Sequence, residues 1–143
     1  MADSHTQKVE KRAMRAAKSH FENEGYSVQD VTRVRGHNGY DLIIARGAES
    51  AKVEVKGCSR EWDIPDFYST EFDSDRRLVA DLLCVVYLLS AEADPRICVL
   101  PRDAIPTNVV VPKFGFRIQS GFKKRHVLEK YCTCELAPPT RDA

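Results

Sequence analysis

The chain has 143 residues, of which 43% are hydrophobic, and a formal net charge of +1. This length can enclose one hydrophobic core but not two ordinary domains, so we expect a single domain over residues 1–136 and a disordered tail over 137–143. The longest apolar run, Leu82 to Leu89, is much shorter than the roughly 20 residues that a membrane helix needs. We therefore expect a cytoplasmic protein without a membrane partner.

An amphipathic helix is predicted over residues 5–24. Ser4 and Gln7 have the spacing of a capping box, and Gly25 is a suitable residue to end the helix. Apolar residues recur at helical spacing, and Glu10 lies at the margin of the apolar face they form. Glu10 is therefore a candidate site residue if this margin points at the acids described next.

A β-hairpin is predicted next, with strands over residues 40–46 and 49–56. The two-residue turn begins at Gly47, which tolerates the positive φ of a type II′ turn. With this turn the register places Asp41 opposite Glu54. Lys56 then lies on the same face as Glu54. The other face of the hairpin is apolar and contains Tyr40, Leu42, Ile44, Ala51, Val53 and Val55.

The other predicted elements describe an α/β fold with a mixed central sheet flanked by helices. The run from Leu82 to Leu89 is typical of a strand covered on both faces. Cys58, Cys84 and Cys98 lie in or beside apolar strands and are expected to be buried free thiols. The remaining elements are strands over 26–34, 97–100, 109–111 and 114–118 and helices over 69–80 and 123–131.

Two carboxylates directly opposed across strands stand about 5 Å apart and repel each other unless a positive group lies between them. A Mg²⁺ ion, for which Mn²⁺ can substitute, accepts one or two carboxylates together with water and a substrate phosphate. Lys56 beside them could hold a phosphate or polarise an attacking water. The alternative is that Glu54 and Lys56 form a solvated surface pair, as in many exposed hairpins.

The segments Tyr-Asp41 and Val-Glu54-Val-Lys56-Gly resemble the core motif of the PD-(D/E)xK nucleases, which include restriction endonucleases and Holliday-junction resolvases. The resemblance implies a restriction-endonuclease-like core. It also implies that Asp41 and Glu54 are metal ligands, with Lys56 as the catalytic lysine and Glu10 as the helical acid near the metal. The Val55 carbonyl is expected as a further ligand. Tyr40 departs from the motif because it stands where the motif has proline.

Charge is distributed unevenly along the chain. Residues 61–81 contain seven acids and two arginines, a net charge of −5, whereas residues 111–130 contain six Lys or Arg and one Glu, a net charge of +5. The basic stretch could contact a nucleic-acid backbone, although a solvated polar surface is an equal alternative. The candidate phosphate contacts are Arg33, Arg35, Ser59, Arg60, Lys113, Arg117, Lys123, Lys124 and Arg125.

These observations lead us to expect a Mg²⁺-dependent endonuclease that acts on DNA. Cutting two strands with one site per chain would favour a symmetric homodimer. Two alternatives stay open at this point. One is an inactive nucleic-acid-binding module on a nuclease-like scaffold, and the other is an interaction subunit that joins a partner through its acidic stretch.

Overall fold

The computed structural model describes residues 5–32, 39–60, 78–88, 94–104, 109–111, 115–117 and 131, with the backbone alone for 5–7, 109–111 and 115–117. These residues form one complete α-helix and seven strands. The elements are α1 (His5–Asn23), β1 (Ser27–Asp30), β2 (Leu42–Arg46), β3 (Glu49–Cys58), β4 (Leu82–Tyr87), β5 (Arg96–Pro101), β6 (Val109–Val111) and β7 (Gly115–Arg117).

Helix α1 is amphipathic, as its sequence predicts. Ala13, Ala17 and Phe21 are buried on one side of it. Gly25, two residues after the end of α1, has a φ of 93°, and Tyr26 donates its backbone N–H to the Phe21 carbonyl at 3.0 Å. This bond spans six residues and closes the last turn, an arrangement that glycine permits because it has no Cβ.

Strands β1 to β5 form a mixed sheet in the order β1-β2-β3-β4-β5. β3 and β4 are parallel, and the other neighbouring pairs are antiparallel. A separate antiparallel hairpin joins β6 and β7. The predicted mixed α/β sheet is therefore confirmed at this level.

The hairpin of β2 and β3 has the predicted register. Arg46 pairs with Glu49, and the pairing continues in step to Leu42 and Val53. Gly47 begins the turn with a φ of 61°, in the region that glycine adopts without steric cost. The hydrophobic pattern and the turn chemistry together specify this register, because a slip by one residue would expose every buried side chain of the strand.

The sheet has two buried faces. The helix face, covered by α1, contains Leu42, Ile44, Val53, Cys84 and Val86. The second face, on the opposite side of the sheet, contains Cys58, Leu83, Val85, Tyr87, Cys98 and Leu100. β4 is thus covered on both sides, which is why its sequence is a continuous apolar run.

Asp81 links the start of β4 to β3 and to the turn after β5. Its backbone N–H donates to the Lys52 carbonyl at 2.8 Å, and one carboxylate oxygen accepts the Lys52 N–H at 2.9 Å. The other carboxylate oxygen accepts a hydrogen bond from the Arg102 guanidinium at 2.7 Å. The Arg102 N–H also donates to the Asp81 carbonyl at 3.0 Å.

Several sequence predictions need correction or lie outside the described residues. Residues 78–80 form a bridge and a bend, so the helix predicted over 69–80 does not reach Ala80. Cys58 and Cys84 are buried free thiols, as predicted, and burial raises the pKa of Cys84 to about 12. Cys98 is instead disulfide-bonded, so the prediction of a free thiol there is wrong. The predicted helix 123–131, apart from Tyr131, and the predicted tail 137–143 also lie outside them.

In the part of the chain that the structure describes, no helix has the length and apolarity to cross a membrane.

Candidate active site on strand β3

Glu54 and Lys56 form a buried ion pair on β3. Val53 is buried on the helix face and Val55 packs against the same cluster. Because successive strand residues point to opposite faces, the side chains of Glu54 and Lys56 point to the second face. Glu54 is 5% exposed and Lys56 is 9% exposed, and the Lys56 Nζ lies 3.6 Å from a Glu54 carboxylate oxygen. The prediction that Lys56 shares a face with Glu54 is confirmed. The alternative of a solvated surface pair is wrong, because both side chains are buried.

Asp41 lies one residue before β2 and is fixed by its backbone and its side chain. Its N–H donates to the Val53 carbonyl at 2.8 Å, and its carbonyl accepts the Val31 N–H at 2.9 Å. Its carboxylate accepts the Val55 N–H at 2.9 Å. The simple pairing predicted for Asp41 and Glu54 is therefore replaced by two contacts, to the residues on either side of Glu54.

The hydrogen-bond register between β2 and β3 shifts by one residue at Asp41. The register pairs Leu42 with Val53, yet Asp41 also donates its N–H to Val53. Two successive residues of one strand then face a single residue of the other, which is the pattern of a β-bulge. Bulges redirect the side chains that follow or precede them, and here the shift turns the Asp41 carboxylate toward the backbone of β3.

The Asp41 carboxylate accepts the Val55 N–H of β3, a hydrogen bond that a backbone carbonyl of the neighbouring strand would normally accept. The Cys58 carbonyl accepts the Leu88 N–H on the β4 side, whereas Val53 and Val55 form their hydrogen bonds with Asp41 on the β2 side. The N–H and carbonyl of one strand residue point to the same side. The Val55 carbonyl therefore points toward the side of β3 on which Asp41 lies.

Tyr40 lies on the second face and not on the apolar face with Leu42 and Ile44, so its predicted position is wrong. Its ring packs against the cluster of the second face, and the Lys52 Nζ lies 5.2 Å from its ring centroid. The shift at Asp41 explains the change, because one extra residue reverses the alternation of side chains. No local signal in the sequence marks this bulge.

Gly57 lets α1 approach β3 directly beside Lys56. A Cβ at Gly57 would lie 2.8 Å from the Ala13 Cβ and 3.0 Å from the Val9 Cγ1, closer than non-bonded carbons normally approach. The sequence contains a signal for this contact, since a glycine inside a strand often marks a close approach of another element. The position of Lys56 thus depends on the packing of α1 on the next residue.

Glu10 is an exposed residue of α1. Because α1 covers the helix face, the helix lies on the opposite side of the sheet from the side chains of Glu54 and Lys56. Ser59 and Arg60 are exposed directly after β3. The other predicted contacts, whose side chains lie outside the described residues, are Arg33, Arg35, Lys113, Arg117, Lys123, Lys124 and Arg125.

The donor atoms of this site suit a hard divalent cation. Among the described side chains, no group of three or more His, Cys, Asp or Glu residues is placed to hold a metal. Mg²⁺ does not require such a group, because it keeps several waters and binds through one or two carboxylates and substrate phosphates. Asp41, Glu54 and the Val55 carbonyl are three oxygen donors on one segment of β3 and its neighbour.

No protein-family model, curated protein or solved structure gives a significant match to this chain. Its function is therefore inferred from the residues and their geometry.

Proposed function

We propose that this protein is a Mg²⁺-dependent nuclease that hydrolyses phosphodiester bonds, with DNA as its substrate. The observation that carries the proposal is the buried Glu54–Lys56 pair beside Asp41. The Lys56 Nζ and the Glu54 carboxylate are 3.6 Å apart, and the Asp41 carboxylate is held 2.9 Å from the Val55 N–H between them in sequence. Glu54 and Lys56 thus alternate along the interior strand β3, and Asp41, directly before β2, contacts the residue between them.

Burial of this pair favours a functional role over a structural one. Charged residues are rarely buried, and a buried ion pair often contributes no more stability than apolar residues of similar volume, because both charges lose their hydration. The neighbouring strand positions show that apolar residues fit this sheet, since Leu83 and Val85 on β4 pair with Glu54 and Lys56. We infer that Glu54 and Lys56 are retained for chemistry.

The fold order supports the same proposal. The resemblance implies a helix, an antiparallel hairpin that carries the acids, then a second helix and further strands. Helix α1, the β2–β3 hairpin and strands β4 and β5 occur in that order, and the position of the second helix lies outside the described residues. We propose that the mixed sheet is a restriction-endonuclease-like core. Glu54 then lies on the middle strand of the sheet, which holds it more rigidly than a loop would, and Asp41 is held by its hydrogen bonds to that strand.

The residues of the site have distinct tasks in this proposal. Asp41 and Glu54 hold Mg²⁺, with the Val55 carbonyl as a further ligand, and the ion when bound stabilises negative charge on the phosphate oxygens. Lys56 provides a fixed positive charge that orients the attacking water or the scissile phosphate. Ser59 and Arg60, exposed at the end of β3, contact neighbouring phosphates.

The test is cleavage of plasmid, linear and branched DNA by the purified protein with Mg²⁺, with Mn²⁺ and with a chelator. Asp41→Asn, Glu54→Gln and Lys56→Met should each lower the cleavage rate about 100-fold or more, and the chelator should abolish cleavage. The matched control is Glu49→Gln, which removes a carboxylate that is 74% exposed on the same strand and should leave the rate unchanged.

Cleavage that persists in both Asp41→Asn and Lys56→Met would contradict the proposal. If instead the unmodified protein binds DNA without Mg²⁺ and cleaves none of the substrates, the protein is a binding module on a nuclease-like scaffold. Circular dichroism of each variant separates loss of chemistry from loss of the fold.

A further inference from the structure

A groove of about 470 Å³ runs between the C-terminal half of α1 and the adjacent ends of β4 and β5. It lies on the helix side of the sheet, whereas Glu54 and Lys56 point to the second face. The groove is therefore separate from the candidate active site. Its volume falls within the roughly 300–1,000 Å³ that small-molecule sites occupy.

The helix side of the groove is cationic. Arg12 and Arg15 lie one turn apart and both line the groove, together with His20. The planar guanidinium presents several N–H donors in a fork that matches phosphate oxygens, which makes arginine the preferred residue for phosphate recognition.

The floor and the opposite side of the groove have different chemistry. Leu88, Pro95 and Ile97 provide apolar surface, and Leu88 and Ile97 are buried in the sheet core beneath. Asp94, exposed at the strand side, supplies a carboxylate acceptor. A matching ligand has a phosphate at one side, a flat apolar body and a hydrogen-bond donor such as a sugar hydroxyl or a ring amine.

A nucleotide has these three properties. We infer that the groove binds a nucleotide, with its phosphate on Arg12 and Arg15 and its base against Leu88, Pro95 and Ile97. The nucleotide is either a free mononucleotide or one unit of a nucleic-acid strand, since both present the same phosphate and base. The inference is independent of the proposed nuclease activity, because it uses none of the residues of the candidate active site.

The experiment measures binding to the full chain in chelator, so that metal at Asp41 does not contribute. The probes are ADP and inorganic phosphate by calorimetry, and a labelled single-stranded oligonucleotide by fluorescence anisotropy. We expect the Arg12→Ala/Arg15→Ala double variant to lose about tenfold or more in affinity for ADP or the oligonucleotide. Inorganic phosphate should bind more weakly than ADP, because it has no base.

The matched control is the Lys8→Ala/Lys11→Ala double variant, which removes the same charge from the same helix outside the groove and should bind nearly as well as the unmodified protein. A second variant, Ser19→Trp, fills the groove from an exposed position that lines it and should abolish binding. Loss with ADP assigns the groove to mononucleotides, and loss with the oligonucleotide alone assigns it to a strand. Equal losses in the arginine and lysine double variants, or binding that survives Ser19→Trp, would overturn the inference.

Discussion

At the scale of single residues, the main feature of this protein is that a glutamate and a lysine occupy interior positions of a sheet. Glu54 is 5% exposed and Lys56 is 9% exposed. Each charge loses most of its hydration on folding, and the attraction between them offsets this loss only when both are present. Removal of both charges should therefore destabilise the protein less than removal of one.

The double variant at Glu54 and Lys56 should therefore be more stable than the single variant at Lys56. Lys56→Met leaves the Glu54 carboxylate without its lysine and should destabilise the protein by about 3–5 kcal/mol. The Glu54→Met/Lys56→Met double variant should regain most of that stability, or exceed the unmodified protein, while nuclease activity stays lost. Urea denaturation of the three proteins measures both effects. A double variant no more stable than Lys56→Met would show that the pair has a structural role.

At the scale of secondary-structure elements, β3 is the middle strand of the five-stranded sheet. It pairs with β2 on one side and β4 on the other, and it also contacts α1 through Gly57. Because Gly57 follows Lys56 directly, the same strand carries the site and the closest contact with the helix. Changes in the packing of α1 should therefore alter the position of Lys56.

Gly57→Ala tests this contact. The added Cβ would lie 2.8 Å from the Ala13 Cβ, so helix and strand must move apart, which costs about 1–3 kcal/mol. Combining it with Ala13→Gly removes the opposing methyl group. The free energy of unfolding of the double variant should then exceed the value expected by adding the two single changes, as measured by a double-mutant cycle. Strict additivity would contradict direct contact.

Asp81 provides the second test at this scale. Its carboxylate accepts hydrogen bonds from the Lys52 N–H and the Arg102 guanidinium at 2.9 and 2.7 Å. Both groups are partly exposed, so the ion pair itself contributes little, but Asp81→Ala leaves the Lys52 N–H without its acceptor. Because this N–H is exposed and can bind water instead, we expect a loss of about 0.5–1.5 kcal/mol by thermal or urea denaturation. Glu49→Gln, in an exposed pair of 3.8 Å, should change stability by much less.

At the scale of the whole molecule, the described fold buries apolar side chains on both faces of one sheet, and α1 covers the helix face. His20 lies on α1 and is half-buried beside this layer. Burial lowers the pKa of His20 below its usual 6.5, although Glu24 opposes the shift. Because the folded protein favours the neutral imidazole, protonation should weaken the global fold.

His20 should make the protein less stable at acidic pH. His20 contributes stability that is fully present above the unfolded pKa of 6.5 and is lost as the pH falls through its lowered folded pKa. The free energy of unfolding should therefore decrease from pH 7 to pH 5. His20→Gln should reduce this slope, and urea denaturation at several pH values measures it. An unchanged slope in the variant would assign the pH dependence to other groups.

Local chemistry in the sequence is enough to predict several features of this protein. The helix with its glycine end, the hairpin with its turn at Gly47 and the doubly buried strand β4 follow from side-chain periodicity and turn residues, which act over a few neighbours. The shared face of Glu54 and Lys56 follows in the same way, because alternate strand residues point to one side.

Other features depend on contacts between distant parts of the chain and are visible only in the folded protein. The bulge at Asp41 depends on how the loop meets β3, and it moves Tyr40 to the second face. The burial of Glu54 and Lys56 is a property of the folded second face, which no local pattern reveals. Likewise, α1 covers the helix face and leaves Glu10 exposed, because its apolar side matches that layer. Periodicity specifies which side chains share a face, but packing between elements decides what each face meets.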